Sequence, residues 1–369
     1  MRKSQIHNCN SINMLEHISP SSVDLIATDP PYGVNILGEK WDKILPDKKI
    51  WENCFQVAKP GSFLLAMGST RMYHRLACDI EDSGFKIKDC LVWAYVTGFP
   101  HGKDISKEID KKKNLSRKVI GKRIHPTLKN KPKVKSRAYL VNSIDSDENN
   151  ESWEITEPAC EESKKWEGWN TQLKPAYEPI LVAQKPIEGT YAENVLKYNV
   201  GGINIDECRI PYKDEEDMKS VASFEGFTDG DFGNKKFFSA NSNNKKQVNV
   251  NPSGRYPSNI MCFDDIFDGQ YNKFFMIPKP SGMEKYDSSH STVKPVKLFY
   301  HLIKMFSPRP SVVGSDVFIL DPFMGSATTG VACYELDRSF VGFEIDPIFF
   351  KEARKRLNFI SRTKNIFES

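Results

Sequence analysis

Apolar positions gather in short runs near both ends of this chain and thin out in the middle. Val23-Asp24-Leu25-Ile26-Ala27-Thr28 is close to continuous, the pattern of a strand buried on both faces. Ahead of it, Ile12, Met14 and Leu15 lie between Ser11 and His17, and Pro20 follows. Residues 1–28 therefore read as strand, helix, strand. Ile50, Cys54, Val57 and Ala58 recur at helical spacing. Pro60-Gly61 reads as a turn, Ser62–Met67 as a short strand, and Gly68-Ser69-Thr70 as its end. Tyr73–Ser83 reads as a helix closed by Gly84 at its C-terminal cap. Phe85–Tyr95 alternates and predicts a strand.

The same rhythm returns at residue 290. Lys294-Pro295 opens a helix with Val296, Phe299, Tyr300, Ile303 and Phe306 on one side, and Pro308 stops it. Val317–Leu320 predicts a strand, Ala327–Leu336 a helix, Phe340–Phe343 a strand and Ile348–Ile360 a last helix. Strands and helices in alternation predict an α/β fold, a mostly parallel sheet with helices on both faces. Residues 101–289 carry weaker patterning, with a buried-looking Pro179-Ile180-Leu181-Val182-Ala183 inside them. The expected organisation is residues 1–100 and 290–369 as two halves of one domain, with 101–289 as an inserted variable region.

Composition changes this picture in one place only. The chain has 369 residues, is 39% hydrophobic and 27% charged, and carries a net charge of +4, an ordinary globular balance. Met1-Arg2-Lys3-Ser4-Gln5 leads into no long apolar stretch, so no signal peptide is expected, nor any membrane span. Eight cysteines without a Cys-x-x-Cys pair point to reduced thiols and a cytoplasmic protein, not to disulfides or a metal site. Charge, however, is unevenly spread. His101–Leu140 holds 14 Lys/Arg against 3 Asp/Glu, and Asp145–Glu162 holds 8 Asp/Glu and no Lys/Arg. Such a basic block, with Lys129, Lys131 and Lys133 at its centre, can track a phosphate backbone or be a solvated lysine-rich loop.

Candidate chemistry begins where the first buried strand ends. Asp29-Pro30-Pro31-Tyr32 fixes two φ angles and removes two N–H donors. The residue before each proline is pushed out of the helical region. A stiff corner at the carboxyl end of a strand is where open α/β sheets place ligands. Asp29 and the Pro30 carbonyl can accept the two N–H protons of an exocyclic amine, with Tyr32 stacked on the ring behind it.

A second constellation runs from Val317 to Asp346: strand, glycine turn, helix, strand, acid. Gly325 lets the backbone pass close to a ligand. Ser326, Ala327, Thr328 and Thr329 follow at a helix N-terminus, where N–H groups are unpaired. Glu344 ends the next strand, placed for the two hydroxyls of a ribose. Gly-x-Gly-x-x-Gly is absent, and Asp321-Pro322-Phe323 leaves little room for pyrophosphate. A ribose joined to a positive group fits better, as in S-adenosylmethionine.

Together these motifs give the chain a close resemblance to the β-class DNA amino-methyltransferases, modification methylases that act on adenine N6 or cytosine N4. Asp29-Pro30-Pro31-Tyr32 resembles their catalytic motif, and Asp321-Pro322-Phe323-Met324-Gly325-Ser326 their S-adenosylmethionine turn. His290-Ser291-Thr292-Val293-Lys294-Pro295 is similar to the segment before that turn. Further pieces resemble a subgroup common in phages and prophages: Gly38–Asp42, Trp93–Pro100, Leu173–Ile180 and Gly254–Ile260. The resemblance implies a Rossmann-like S-adenosylmethionine-dependent methyltransferase fold in permuted motif order. It implies cofactor contacts from Asn10, Asp29, Thr292, Lys294, Asp321, Phe323, Gly325, Ser326, Thr328 and Glu344. Asn10 stands where relatives often carry an acid. Double-stranded DNA is the implied partner, with Trp41 and Arg71 as further candidate contacts, and a homodimer is expected by analogy alone. Lys174 and Glu178 read equally as site residues or as a structural ion pair. An aspartate at position 29 favours adenine by family association, and cytosine N4 is the alternative; a chain that binds DNA without catalysis is a remoter one.

Overall fold

The computed structural model describes residues 4–34, 42–95, 102–124, 152–222, 250–262, 275–276 and 293–367. Along the chain the elements are β1 (Gln5–His7), a short 3-10 helix (Ser11–Glu16), β2 (Val23–Thr28), α1 (Lys48–Val57), β3 (Ala58–Met67), α2 (Tyr73–Asp82) and β4 (Lys86–Ala94). Next come α3 (Ile105–Lys112), β5 (Lys118–Ile124), β6 (Ser152–Glu157), α4 (Glu161–Lys165), β7 (Tyr177–Gln184), α5 (Tyr191–Tyr198), α6 (Glu215–Ala222), β8 (Ile260–Cys262) and β9 (Phe275–Met276). The last are α7 (Val296–Phe306), α8 (Pro310–Val313), β10 (Phe318–Asp321), α9 (Thr328–Glu335), β11 (Ser339–Phe343) and α10 (Pro347–Phe367).

The described residues fall into two compact units. Residues 102–124 and 152–176 form the smaller, and the rest form the larger. The larger unit is built on a nine-stranded sheet in the order β1-β11-β10-β2-β3-β7-β4-β8-β9. Neighbours are parallel except at β7, which pairs antiparallel with both β3 and β4. Eight strands therefore end at one edge of the sheet, and β7 begins there. Leu320 of β10 sits between Ile26 of β2 and Val341 of β11. β2 and β11 are buried along their whole length and β10 all but its first residue, as parallel strands covered on both faces must be.

A carboxyl group of β2 lies inside this apolar packing. Asp24 is 1% exposed, and its carboxylate accepts from Lys59 Nζ at 2.5 Å and from the Phe318 N–H at 2.8 Å. The bond to Phe318 ties the start of β10 to β2 and helps set their register. Around the sheet the core collects Met14, Trp51, Leu64, Phe85 and Phe343. Most of α7 is buried, including Leu298, Leu302 and Met305 beside the apolar stripe expected from the sequence.

Two sequence expectations change here. Pro60-Gly61 is not a turn but part of β3, which begins at Ala58. Gly61 takes a φ of +82°, and its N–H bonds the Lys185 carbonyl at 3.1 Å; the strand absorbs the kink as an irregularity opposite Val23 and Leu25. Glycine makes that backbone affordable, and a side chain there would run into Asn194. Residues 177–184, 260–262 and 275–276, grouped from sequence with the inserted region, supply β7, β8 and β9 to the main sheet. Patterning hid this because β8 has only three residues.

The smaller unit holds α3, α4 and the antiparallel ribbon β5–β6. Its interior is polar. Asp110 is 1% exposed and accepts from Arg117 Nη1 at 2.8 Å and from the Ala159 N–H at 3.2 Å. Arg117 also donates to Ser106 Oγ and Thr156 Oγ1. No helix among the described residues is long and apolar enough to cross a membrane.

Candidate active site

Asp29 follows β2 directly, at the edge where the parallel strands end. Its two carboxylate oxygens are both engaged. Tyr32 Oη lies 2.8 Å from Oδ1, and Lys294 Nζ donates to Oδ2 at 2.8 Å. The Asp29-Pro30-Pro31-Tyr32 corner is held from outside by Asp42, which is fully buried. Asp42 Oδ1 accepts the Tyr32 N–H at 2.6 Å and the Gly33 N–H at 3.1 Å. Those two amides are the first donors available after the two prolines, and one carboxylate oxygen fixes both.

Glu178 reaches the same corner from β7. Because β7 runs against its neighbours, its beginning lies where they end; Glu178 pairs in register with Trp93, near the end of β4. Glu178 Oε2 lies 3.1 Å from Tyr32 Oη and 3.3 Å from Lys294 Nζ. The Lys294 ammonium is also 3.1 Å from Tyr32 Oη. The three charged side chains are 11%, 20% and 21% exposed for Lys294, Asp29 and Glu178. Burial by itself would lower the Lys294 pKa, but the Asp29 and Glu178 carboxylates outweigh it and hold the pKa above its ordinary value. The Tyr32 hydroxyl is pushed well up by burial and then by the same two carboxylates. Burial and Glu178 push the Tyr95 hydroxyl up to about 12.

Beside this corner the glycine turn follows β10. Asp321 is turned inward and 2% exposed. It accepts from Thr28 Oγ1 at 2.6 Å, from Thr329 Oγ1 at 2.6 Å and from the Phe323 N–H at 3.0 Å. Thr28 is the residue before Asp29, so this bond joins the two strand ends. Burial raises the Asp321 pKa to about 6 against those three donors. Gly325 takes a φ of +48° and Ala327 one of +58°. The Gly325 N–H donates to Glu344 Oε2 at 3.0 Å and the Asp346 N–H to Oε1 at 2.7 Å. Glu344 is thereby aimed by two backbone amides, and each oxygen keeps a further acceptor site. Burial, partly countered by those amides, raises its pKa.

Several expected residues have other partners than a ligand. Ser326 and Thr328 are buried and bonded by Arg356, whose Nη1 donates to the Ser326 carbonyl at 3.0 Å, Ser326 Oγ at 3.2 Å and Thr328 Oγ1 at 3.1 Å. Phe323 packs on Trp51, with ring centroids 5.8 Å apart. Asn10 caps the first short helix, its Oδ1 accepting the Ile12 N–H. Lys294, expected at the cofactor, lies on the Asp29 corner. Arg71 is exposed in the turn after β3. Trp41, Lys129, Lys131, Lys133, His290 and Thr292 lie outside the described residues.

Asp42 and Arg356 were not singled out from the sequence. Asp42 had a weak signal in its position one loop after the corner. Arg356 had none, because a buried arginine in the last helix looks like any surface one.

The site is acidic. Asp29, Glu178 and Glu344 carry their carboxylates to one edge of the sheet, where Lys294 is the ammonium that pairs with the first two, and Asp321 feels Asp29 and is felt by Glu344. Such a field favours a cationic ligand. Beyond Glu344, Ile345 and Ile348 are 65% and 63% exposed.

A family profile described as DNA methylase matches residues 23–355. The chain is 22% identical to the type II methyltransferase M.HindIII of Haemophilus influenzae, over 95% of this chain and 94% of that protein. It is also 22% identical to the type II methyltransferase M.HpaI of Haemophilus parainfluenzae, over 95% of this chain and 72% of that protein. Among solved structures, the M1.HpyAVI–SAM complex aligns with a TM-score of 0.45 and 18% identity, covering 96% of this chain and 98% of that one.

Proposed function

Because the chain belongs to the DNA methylase family, an S-adenosylmethionine-dependent group of amino-methyltransferases, we propose that it methylates the exocyclic N6 amine of adenine at a specific site in double-stranded DNA. The observation that carries this reading is the junction of the two strand ends. Thr28, one residue before the Asp29 corner, is bonded to Asp321, four residues before Gly325. An amine acceptor and a turn suited to a ribose-bearing cation therefore adjoin.

When bound, S-adenosylmethionine supplies an electrophilic methyl group on a sulfonium. Asp321 and Arg356 hold the turn, Gly325 leaves room beside it, and Glu344 accepts from the ribose hydroxyls. The adenine amine is a poor nucleophile, since its lone pair is delocalised into the ring. Asp29 accepts one amine proton and the Pro30 carbonyl the other, which favours a pyramidal nitrogen with its lone pair aimed at the methyl carbon. The bound cofactor would supply the methyl carbon, a nitrogen–carbon bond forming as the carbon–sulfur bond breaks and the neutral thioether departs. Positioning and charge stabilisation do the work here. Asp29 stabilises the positive charge growing on nitrogen, and the charge is lost when the amine proton passes along the hydrogen bond to Asp29 and on to water. The target base is unpaired and flipped, at a cost of a few kilocalories per mole. Tyr32 stacks on it, with the ring plane fixed by the hydroxyl bond to Asp29. Residues 101–289 supply the DNA contacts, with the basic block on phosphates.

Methylation-sensitive long-read sequencing of DNA from cells expressing the chain, beside an Asp29→Ala control, tests the reading. Modified adenine within one short motif, lost in the control, is expected. Modified cytosine would move the assignment to N4, and unmodified DNA would overturn it.

A further inference from the structure

The Asp29 corner contains more charge than the transfer step described above uses. Two carboxylates, Asp29 and Glu178, share one phenol and one ammonium. Tyr32 Oη lies 2.8 Å from Asp29 and 3.1 Å from Glu178, yet it has a single proton and can donate to only one of them at a time. Lys294 Nζ lies 2.8 Å from Asp29 and 3.3 Å from Glu178. The two acids arrive from different elements, the end of β2 and the start of β7. The lysine comes from a third, the segment before α7. All three are at most 21% exposed.

We propose that Glu178 and Lys294 are positioning residues of the transfer site, with Lys294 the counter-charge that lets Asp29 and Glu178 stand ionised side by side. The proposal rests on the methyl-transfer reading. Its physical basis is simple. Two carboxylates in one partly buried site disfavour each other's ionisation, and one of them takes up a proton unless a cation lies between them. A protonated Asp29 has lost acceptor capacity and stabilises no positive charge on the amine. Lys294 therefore protects the acceptor, and Glu178 fixes Lys294 and Tyr32 from the side away from β2. The other described titratable groups facing the cluster are Tyr95 after β4, Asp321 at the end of β10, and Asp42, which holds the corner's backbone.

The test compares the full-length chain with Lys294→Gln, Glu178→Gln and the double variant. Methyl transfer to DNA is followed from pH 5 to 9, and the free proteins are titrated by NMR with carbon-13-labelled carboxyl groups. Lys294→Gln is expected to move the acid limb of the rate profile up by about one pH unit or more, with activity recovering at high pH. Glu178→Gln alone moves the limb down. Adding Glu178→Gln to Lys294→Gln brings the raised limb back, because the competing charge is gone. A loss of activity in Lys294→Gln that is flat with pH, or a double variant that restores nothing, overturns the proposal. If Lys294→Gln does not fold, Glu178→Gln decides alone, and an unmoved limb sinks the idea. If the wild type methylates no DNA, the functional reading fails, while the carboxyl titration still shows whether the two acids are coupled through Lys294.

Discussion

At the end of β2 the Asp29 carboxylate is held by a charge; at the end of β11 the Glu344 carboxylate is held by backbone amides. Both acids sit at the same edge of one sheet. Asp29 takes the side chains of Lys294, 265 positions away, and of Tyr32 in its own corner. Glu344 takes the Gly325 and Asp346 N–H groups, which cannot leave without moving the chain. An amide donor is permanent and uncharged, so the acid it holds is rigid. A lysine donor is strong but answers to every neighbouring charge. The difference suits the proposed roles: a cofactor acid needs a fixed direction, whereas an acid facing a nitrogen that turns positive needs its charge kept available.

The largest expected break in this comparison comes from Asp29→Ala. Methyl transfer, followed by labelled methyl incorporation into DNA, should fall about a hundredfold or more. Cofactor affinity by calorimetry should stay within a few-fold, since Glu344 keeps its amides. Equal losses in both would mean that the two strand ends are one site with no division of labour. Next in size, Glu344→Ala leaves two amides without their acceptor and should weaken cofactor binding by roughly tenfold or more. An unchanged dissociation constant would remove Glu344 from the cofactor site. Arg356→Met reaches the same turn from behind. It strips three bonds from Ser326 and Thr328 and should cost about 1–2 kcal/mol in urea unfolding, with a smaller loss in cofactor affinity. Full stability in that variant would show that the turn holds itself.

The two ends also differ in how far the sequence discloses them. The glycine turn is local: Asp321, Gly325 and Glu344 fall within one strand–turn–helix–strand unit, and the spacing alone aims Glu344 at it. The Asp29 corner is local only in its first four residues. Glu178 is 149 positions away, and it reaches the corner because β7 alone runs antiparallel in the sheet. Nothing in the pattern of residues 177–184 states that direction. Lys294 was legible as a site residue through its motif, but its bonds to Asp29 and Glu178 depend on how three segments close together. The bonds of the Ser326 and Thr328 side chains to Arg356 were not legible for a related reason. Small polar residues at a helix start look ligand-facing, and only the position of Arg356 turns them inward. In the fold, most helices and strands with clear periodicity stand within a few residues of expectation, while α10 runs seven residues past the expected Ile360 and β3 starts four residues early because Gly61 carries the kink inside the strand.

Asp321 offers the smallest and most discriminating test, since it belongs to the rigid turn but is a buried acid. Its pKa is raised from 3.8 to about 6, mainly by burial, with Thr28, Thr329 and the Phe323 amide opposing. The folded state therefore binds more protons than the unfolded state between about pH 4 and pH 6. Stability must fall as pH rises through that window and level off above it. From pH 5 to pH 7 the fall attributable to this one group is roughly 1 kcal/mol. Asp321→Asn keeps an acceptor for Thr28 and Phe323, and its amide can donate to the Thr329 hydroxyl, which accepts as readily as it donates. Urea unfolding at pH 5 and pH 7 should then show a flatter dependence in the variant by about that amount. An identical dependence in both proteins would mean that Asp321 stays ionised across the window, with its three donors outweighing its burial. The turn would then keep its buried acid ionised with hydroxyl and amide donors alone, and the contrast between the two strand ends would rest on the identity of the donors.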